Sequence, residues 1–253
     1  MKHIVCLLLL SMLPLWGQFS PKFNPQAAGS RISTDIAWPS VEYASVILTT
    51  NRLDVFETTQ SYTFTVAGPW PALLVSLCFY SDGQVVTDMR YNSEPFWIGS
   101  QAVIGADRGT NAWWILEGPA EGENTLEIDV NQNGFIDYMA MHVILVTNVH
   151  QVAILGGAAS YSSGVDLVGS SELSVGGETP GLVFDSLHWY RNESDGLTNH
   201  WGDQTVIGFS DGDNTVSSKV SWRPVTGNGP PVLMTWTNMN AEITHNVISI
   251  RRR

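Results

Sequence analysis

The segment TLEIDVNQNGFIDYMAMHVILVT, residues Thr125–Thr147, decides the fold class of this chain. Two strand-like runs, Thr125–Val130 and Phe135–Thr147, flank the polar turn Asn131–Gly134. Alternation of apolar and polar residues and enrichment in β-branched residues are typical of strands. An Asn-Gly pair between two such runs is typical of a tight turn, in which Gly134 supplies the positive φ. We therefore expect a β-hairpin here.

The same pattern continues along the chain on both sides of this segment. Short runs of β-branched and aromatic residues alternate with breaks rich in Gly, Asn, Asp and Pro. The further predicted strands are Tyr43–Thr50, Tyr62–Val66, Ala72–Tyr80, Trp113–Leu116, Gln151–Leu155, Gly181–His188, Thr205–Phe209, Val216–Arg223, Val232–Thr237 and Ile243–Ile250. About a dozen strands without a convincing amphipathic helix predict an all-β fold, a single jelly-roll-like antiparallel β-sandwich.

The N-terminus has the pattern of an export signal. Lys2 provides a basic start, and the apolar run Ile4–Leu15 follows it. We expect a signal peptide over residues 1–17, a linker or N-terminal arm over 18–40 and one β-sandwich domain over 41–253. No later apolar run is long enough to cross a bilayer. The sequence therefore predicts a secreted protein with no membrane span in the mature chain.

Composition and charge narrow the range of partners. The chain has 24 acidic and 12 basic residues and a net charge of −12, which repels phosphate backbones, so we exclude nucleic acid as the main partner. The basic cluster Arg251–Arg253 is expected to be a solvated tail. Of two cysteines, Cys6 lies in the signal and Cys78 in an apolar strand. Cys78 is therefore expected to be a buried thiol.

Six segments in sequence order carry a resemblance to known proteins. They are Ala72–Leu77, Met89–Asn92, the pair Trp113-Trp114, Ala140–Val146, Gly202–Val206 and Ile250-Arg251. Together they resemble a loosely defined group of secreted bacterial and phage-associated jelly-roll-like β-sandwich modules, over about Ser61–Arg251. Asp203 interrupts the adjacent Gly-Gln-Thr of that group. The resemblance implies a jelly-roll-like module of unassigned function, and it supports the fold more than a function.

The turn in the opening segment also fits a calcium loop. Asp129, Asn131, Asn133 and Asp137 place oxygen donors at positions 1, 3, 5 and 9, with glycine at position 6. Position 12, where calcium needs a bidentate acid, is Ala140. Two interpretations stay open, a plain hairpin turn and a bound calcium ion. The sequence requires no cofactor.

The same strand suggests an alternative, enzymatic function. Glu127, Asp129 and Gln132 resemble the Glu-x-Asp-x-x-Glu strand of jelly-roll glucanases. Retaining glycosidases need two carboxyl groups about 5 Å apart. Gln132 is an amide and cannot supply the second, so the catalytic motif is not intact.

Tryptophan is abundant, with ten residues in the chain against a usual share of about one in a hundred. Exposed indole rings stack on sugars and other flat ligands. The candidate ligand contacts are Trp97, Trp113, Trp114, Trp189 and Trp201. Trp113 and Trp114 should point to opposite faces of their strand. For the set as a whole, core packing is favoured over ligand binding.

The densest polar and aromatic region is Asp185–Asp203, which could line a loop pocket. Without a Gly-x-Ser-x-Gly elbow, the sequence gives no support for a Ser-His-Asp triad. We therefore hypothesise a secreted, non-catalytic binding or surface module whose partner is a glycan or a surface protein. The alternatives are a divergent jelly-roll glycoside hydrolase using Glu127 or Asp129, and a structural component of a cell surface or virion.

Overall fold

The computed structural model of the chain describes residues 42–55, 58–81, 86–103, 109–131, 136–164, 166, 168–176, 180–190, 198–199, 204–212, 216–225, 227 and 229–253. These residues all belong to the compact unit Trp38–Arg253. Their regular secondary structure is entirely β-strand, so the predicted all-β class is confirmed. This part of the chain has no helix able to cross a membrane. The predicted signal peptide and arm lie outside it.

Nine strands form the first half of the fold. They are β1 (Glu42–Val55), β2 (Thr59–Val66), β3 (Ala72–Ser81), β4 (Val86–Tyr91), β5 (Glu94–Pro95), β6 (Trp97–Val103), β7 (Gly109–Glu117), β8 (Gly122–Val130) and β9 (Ile136–Thr147). Inner sheet 1 has the order β1-β9-β3-β7-β6, and outer sheet 1 has the order β2-β8-β4-β5. Since Phe96 alone separates β5 from β6, one segment passes from the outer to the inner sheet.

Seven strands form the second half. They are β10 (Leu155–Ser162), β11 (Val168–Val175), β12 (Gly181–Tyr190), β13 (Thr198–Asn199), β14 (Thr205–Gly212), β15 (Val216–Val225) and β16 (Val232–Arg251). Inner sheet 2 has the order β10-β16-β12-β15-β14. The first part of β16 pairs instead with β11 and β13, and these three segments form outer sheet 2. Strand β16 therefore passes from one sheet to the other.

The two halves have the same topology. Matching strands of the inner sheets occupy matching positions, β1 with β10, β3 with β12, β6 with β14, β7 with β15, and β9 with the second part of β16. In the outer sheets, β2-β8-β4 matches β11-β16-β13. This is the strand order of a jelly roll. The predicted jelly-roll-like antiparallel sandwich is confirmed, but the topology shows two such sandwiches where the sequence predicted a single one.

Apolar side chains fill the three spaces between these four sheets. One cluster lies between outer sheet 1 and inner sheet 1, and a second lies between the two inner sheets. Two smaller clusters lie between inner sheet 2 and outer sheet 2. Strand β3 contributes Leu73 and Val75 to the first cluster and Ala72 and Leu74 to the second. Burial on both faces explains why this strand is a continuous apolar run.

The predicted hairpin at Asn131–Gly134 is wrong, because its two flanking strands do not pair. Strand β8 pairs with β2 and β4, whereas β9 pairs with β1 and β3. The connection therefore joins the outer sheet to the inner sheet, as the jelly-roll order requires. The turn residues 132–135 lie outside the described part of the chain.

The predicted solvated tail is also wrong. Arg251 is the last residue of β16. The backbone N–H of Arg252 donates to Pro180 O at 3.1 Å, and that of Arg253 donates to Asn148 O at 3.1 Å. These bonds hold the final residues against the start of β12 and the end of β9. A further difference concerns the predicted strand Gln151–Leu155, since β10 begins at its last residue.

Several polar side chains are buried between the two inner sheets. Ser186 Oγ donates to Asn111 Oδ1 at 3.0 Å, and Asn246 Nδ2 donates to Asn111 O at 2.8 Å.

Cys78 is buried as expected, and burial raises the pKa of its thiol to about 12. His188 is also fully buried, and neither of its ring nitrogens has a hydrogen-bond partner.

Two histidines of this interface are held neutral by the fold. Burial lowers the pKa of His188 from 6.5 to about 3 and that of His142 to about 4. Because both pKa values lie below that of the unfolded chain, this contribution to stability is complete above pH 6.5. It is lost as the pH falls from 6.5 to about 4 for His142 and to about 3 for His188.

We expect mild acid to destabilise the protein through these histidines. At pH 5.5, each should lower the free energy of unfolding by about 1.4 kcal/mol relative to pH 7.5. Urea denaturation at the two pH values measures the change. The variant His188→Leu removes one titrating group without breaking a hydrogen bond, so its loss between the two pH values should be smaller by about 1.4 kcal/mol. Equal losses in the variant and the wild type would contradict the assignment.

Candidate functional site

The tryptophans predicted as ligand contacts lie in different environments. Trp97 begins β6 and is 36 % exposed, and its indole N–H donates to Glu117 Oε2 at 2.8 Å. Trp113, Trp114 and Trp189 are buried. Trp201 lies outside the described residues. The structure therefore does not bring the four described tryptophans together on one ligand-binding surface.

The prediction that Trp113 and Trp189 are surface contacts is wrong, because sheets cover both faces of their strands. Trp113 packs edge-on against Phe184 between the inner sheets, with ring centroids 6.3 Å apart. Trp189 packs between inner sheet 2 and outer sheet 2. Trp113 and Trp114 do point to opposite faces of β7, since their rings belong to different core clusters.

Trp114 lines a cavity of about 140 Å³ at edge strand β6. The other lining residues are Phe79, Val86, Ile98, Gln101, Thr110 and Ala112. Only 8 % of Trp114 is exposed, so little of its ring face is available for stacking. The cavity is therefore a poor match to the predicted tryptophan platform.

Glu127 and Asp129 lie on the outward face of outer sheet 1, where both form ion pairs with Arg90. The guanidinium is 2.5 Å from Asp129 Oδ2, 3.4 Å from Glu127 Oε2 and 2.9 Å from Asp88 Oδ2. Thr59 Oγ1 donates to the second oxygen of Asp129 at 2.6 Å. The carboxylates that the hydrolase alternative needs are thus bound to neighbouring side chains.

The predicted calcium loop lies only partly within the described residues. Both oxygens of Asp129 have protein donors, so a calcium ion would have to share or replace them. Asn131 is described, whereas Asn133 and the side chain of Asp137 are not. Among the described side chains, no group of three His, Cys, Asp or Glu residues is arranged to hold a metal ion. The calcium loop stays a prediction.

A cleft of about 300 Å³ opens where the two jelly rolls meet. Three chain segments line it. The first segment contains Trp70 and precedes β3. The second is the link between the jelly rolls, which contains His150, Gln151 and Val152. The third follows β16 and contains Arg253. Ligand sites commonly form at such junctions between domains. None of these residues was a candidate in the sequence analysis.

Trp70 is exposed on a strained loop. Its side chain is 43 % exposed, and its φ of 44° lies in the left-handed region that bulky residues rarely adopt. Asn148 N donates to Pro69 O at 2.9 Å and Val149 N donates to Trp70 O at 3.3 Å, which fixes the loop. The surrounding structure therefore maintains a strain of about 1–2 kcal/mol that presents this ring at the cleft.

The polar side chains of the cleft have defined orientations. His150 Nδ1 accepts hydrogen bonds from the backbone N–H groups of Val152 and Ala153, at 3.3 and 3.1 Å. In the neutral ring the proton is therefore on Nε2, which becomes a donor. Gln151 Nε2 donates to Pro71 O at 3.3 Å, which orients its side-chain oxygen as an acceptor. The cleft combines an aromatic ring with a donor and an acceptor.

A hydrogen-bonded series of Ser171, His245 and Asp185 lies inside the second jelly roll. Ser171 Oγ is 2.9 Å from His245 Nδ1, and His245 Nε2 is 3.2 Å from Asp185 Oδ2. The order of groups is that of a serine, a general base and an orienting acid. Ser171 is only 5 % exposed, however, and neither of the two cavities above reaches it. We therefore interpret the series as structural.

The carboxylate of Asp185 joins four segments of the second jelly roll. It accepts hydrogen bonds from the Ser221 hydroxyl, from Gln204 Nε2 at 3.1 Å and from Trp236 Nε1 at 2.6 Å, in addition to His245. These donors connect both sheets of the sandwich. The sequence hint was a lone acidic residue within the apolar run of β12, but its partners are distant in the chain.

The fold and the cleft together define a double jelly roll with a ligand-sized opening at the junction of its halves. Comparison of the chain with known protein families, with curated proteins and with solved structures finds no match. The site is therefore interpreted from the residues of this chain.

Removal of the Asp185 carboxylate should strongly destabilise the fold. We expect Asp185→Ala to lower the free energy of unfolding by about 3 kcal/mol, because it leaves several buried donors without an acceptor. Urea denaturation at neutral pH measures the change. The control Asp88→Ala breaks an exposed ion pair and should cost less than about 1 kcal/mol. Similar losses in both variants would contradict the structural role of Asp185.

Proposed function

We propose that this protein is a secreted, non-catalytic module that binds carbohydrate in the cleft between its two jelly rolls. The observation that carries the proposal is the exposed ring of Trp70. An indole face beside donors and acceptors is the usual chemistry of sugar recognition, since sugars have apolar C–H faces and a hydroxyl rim. Secretion rests on the N-terminal signal pattern.

The cleft has the components that a sugar requires. Trp70 and Val152 provide apolar area, and Val152 is 88 % exposed. His150 offers a donor and Gln151 an acceptor for hydroxyl groups. The volume of about 300 Å³ is at the lower end of the usual range for ligand sites and suits one or two sugar rings.

The position of Trp70 further supports binding. A bulky residue in a left-handed conformation is costly, and such strain clusters at functional sites. Glycine or asparagine would fit this backbone with less strain. The strained loop therefore favours a role for the ring itself rather than a role for the turn.

The surface-structural alternative has its own support at edge strand β6. Ile98 and Val103 are each nearly half exposed on this strand, which ends the order of inner sheet 1. Exposed apolar edge strands are sites at which other chains can pair. An assembly role would therefore use β6 and not the cleft.

Loss of the Trp70 ring should weaken glycan binding without unfolding the protein. We expect Trp70→Ala to weaken binding at least about tenfold, since stacking on an aromatic ring contributes on the order of 1 kcal/mol or more. A glycan array followed by calorimetry on the best ligand measures it. The matched control is Trp97→Ala, which removes the other exposed tryptophan of the described surface and should leave affinity unchanged.

Three results would count against the proposal. Absence of binding to any glycan would favour the assembly role, which variants of Ile98 and Val103 would then test by light scattering. Glycan binding that survives Trp70→Ala would place the site elsewhere on the molecule. Turnover of a glycan would favour the hydrolase alternative.

A further inference from the structure

We infer that the ligand of the cleft is an acidic sugar, a hexuronate unit whose carboxylate is bound by Arg253. This inference rests on the proposed function, because it specifies the ligand of the same cleft. Two observations carry it. They are the unpaired guanidinium that lies on Trp70 and the absence of acidic side chains from the described lining of the cleft.

The guanidinium of Arg253 is held in a fixed position. Its carbon lies 3.6 Å from the centroid of the Trp70 ring, which is a close cation–π contact. The backbone N–H of Arg253 donates to Asn148 O, and this bond anchors the residue. The charged group is therefore positioned from both ends.

Contact with the ring leaves the N–H groups of Arg253 available. Within the described part of the chain, the guanidinium has no hydrogen-bond or ion-pair partner. The N–H groups lie in the plane of the guanidinium, whereas a cation–π contact uses its face. An arginine in this state presents a fork of donors, and that fork matches the two oxygens of a carboxylate.

The surroundings of Arg253 favour a negative ligand. The whole chain has a net charge of −12, yet the lining residues Trp70, His150, Gln151 and Val152 include no Asp or Glu. His150 adds a second donor through Nε2. A cleft whose lining has a guanidinium and further donors but no acidic side chain favours an anion over a neutral hydroxyl rim.

The apolar part of the cleft favours a sugar acid over a small inorganic anion. The exposed portion of the Trp70 ring and the side chain of Val152 offer area that a phosphate or sulfate cannot use. A hexuronate has both an apolar ring face and a carboxylate on the ring. It can therefore contact the indole ring and the guanidinium together.

The test compares two ligands that have the same sugar rings and differ only at the carboxyl group. Short oligogalacturonates and their fully methyl-esterified forms have the same sugar rings, and esterification removes the carboxylate charge. We expect calorimetry in the presence of EDTA to show at least about tenfold tighter binding of the acid form. In Arg253→Gln the two affinities should become equal.

A second arginine variant separates specific recognition from general attraction. Arg252→Gln removes the same charge one residue away and should keep the preference for the acid. Trp70→Ala should weaken binding of both forms at least about tenfold. Thermal unfolding of each variant shows whether it is folded.

The possible failures are distinguishable. Equal binding of acid and ester by the wild type would overturn the acidic-ligand inference and leave the proposed carbohydrate function intact. A preference for the acid that persists in Arg253→Gln would also overturn it. Absence of binding to both forms and to every neutral glycan would overturn the proposed function itself.

Discussion

Burial of strands β3 and β12 on both faces is the constraint on which the rest of the structure depends. Each lies near the middle of an inner sheet and contacts its own outer sheet on one side and the other jelly roll on the opposite side. If either jelly roll stood alone, the face of its inner sheet that now packs on the other jelly roll would be exposed to water. The face-to-face packing of the inner sheets therefore makes one unit from two sandwiches, and it creates the junction at which the cleft opens.

Buried polar groups fix the two jelly rolls on each other in one layer and organise the interior of the second jelly roll in another. Between the inner sheets, Asn111 exchanges hydrogen bonds with Ser186 and Asn246, which fixes the position of one jelly roll on the other. Inside the second jelly roll, Asp185 separates two small apolar clusters, whereas the first jelly roll has one large cluster. Directional bonds therefore help to specify the second sandwich in addition to apolar packing, because a buried carboxylate tolerates few arrangements of its donors.

Local pattern predicted the individual strands well and the assembly poorly. Strands β3, β9 and β12 were recognised because burial on both faces makes them long apolar runs. Strand β11 was missed, since its residues Val168–Val175 are mostly polar and its pairing partner lies far along the chain. The number of layers cannot be read from the alternation within one strand. For that reason Trp113 and Trp189 were kept as candidate ligand contacts, and the duplication was not detected.

The location of the cleft follows from the topology, although the sequence did not reveal it. In each jelly roll, the segment before the third strand accepts a backbone hydrogen bond from the residue after the last strand, Asn148 to Pro69 in the first and Arg252 to Pro180 in the second. The β-bridge between Val149 and Arg252 then brings together the segments that follow the last strands of the two jelly rolls. A residue before the third strand of the first jelly roll therefore lies beside the last residues of the second jelly roll. Because that residue is tryptophan and the segment it meets ends in arginine, the topology itself assembles a stacked, cationic site from residues that are far apart in the sequence.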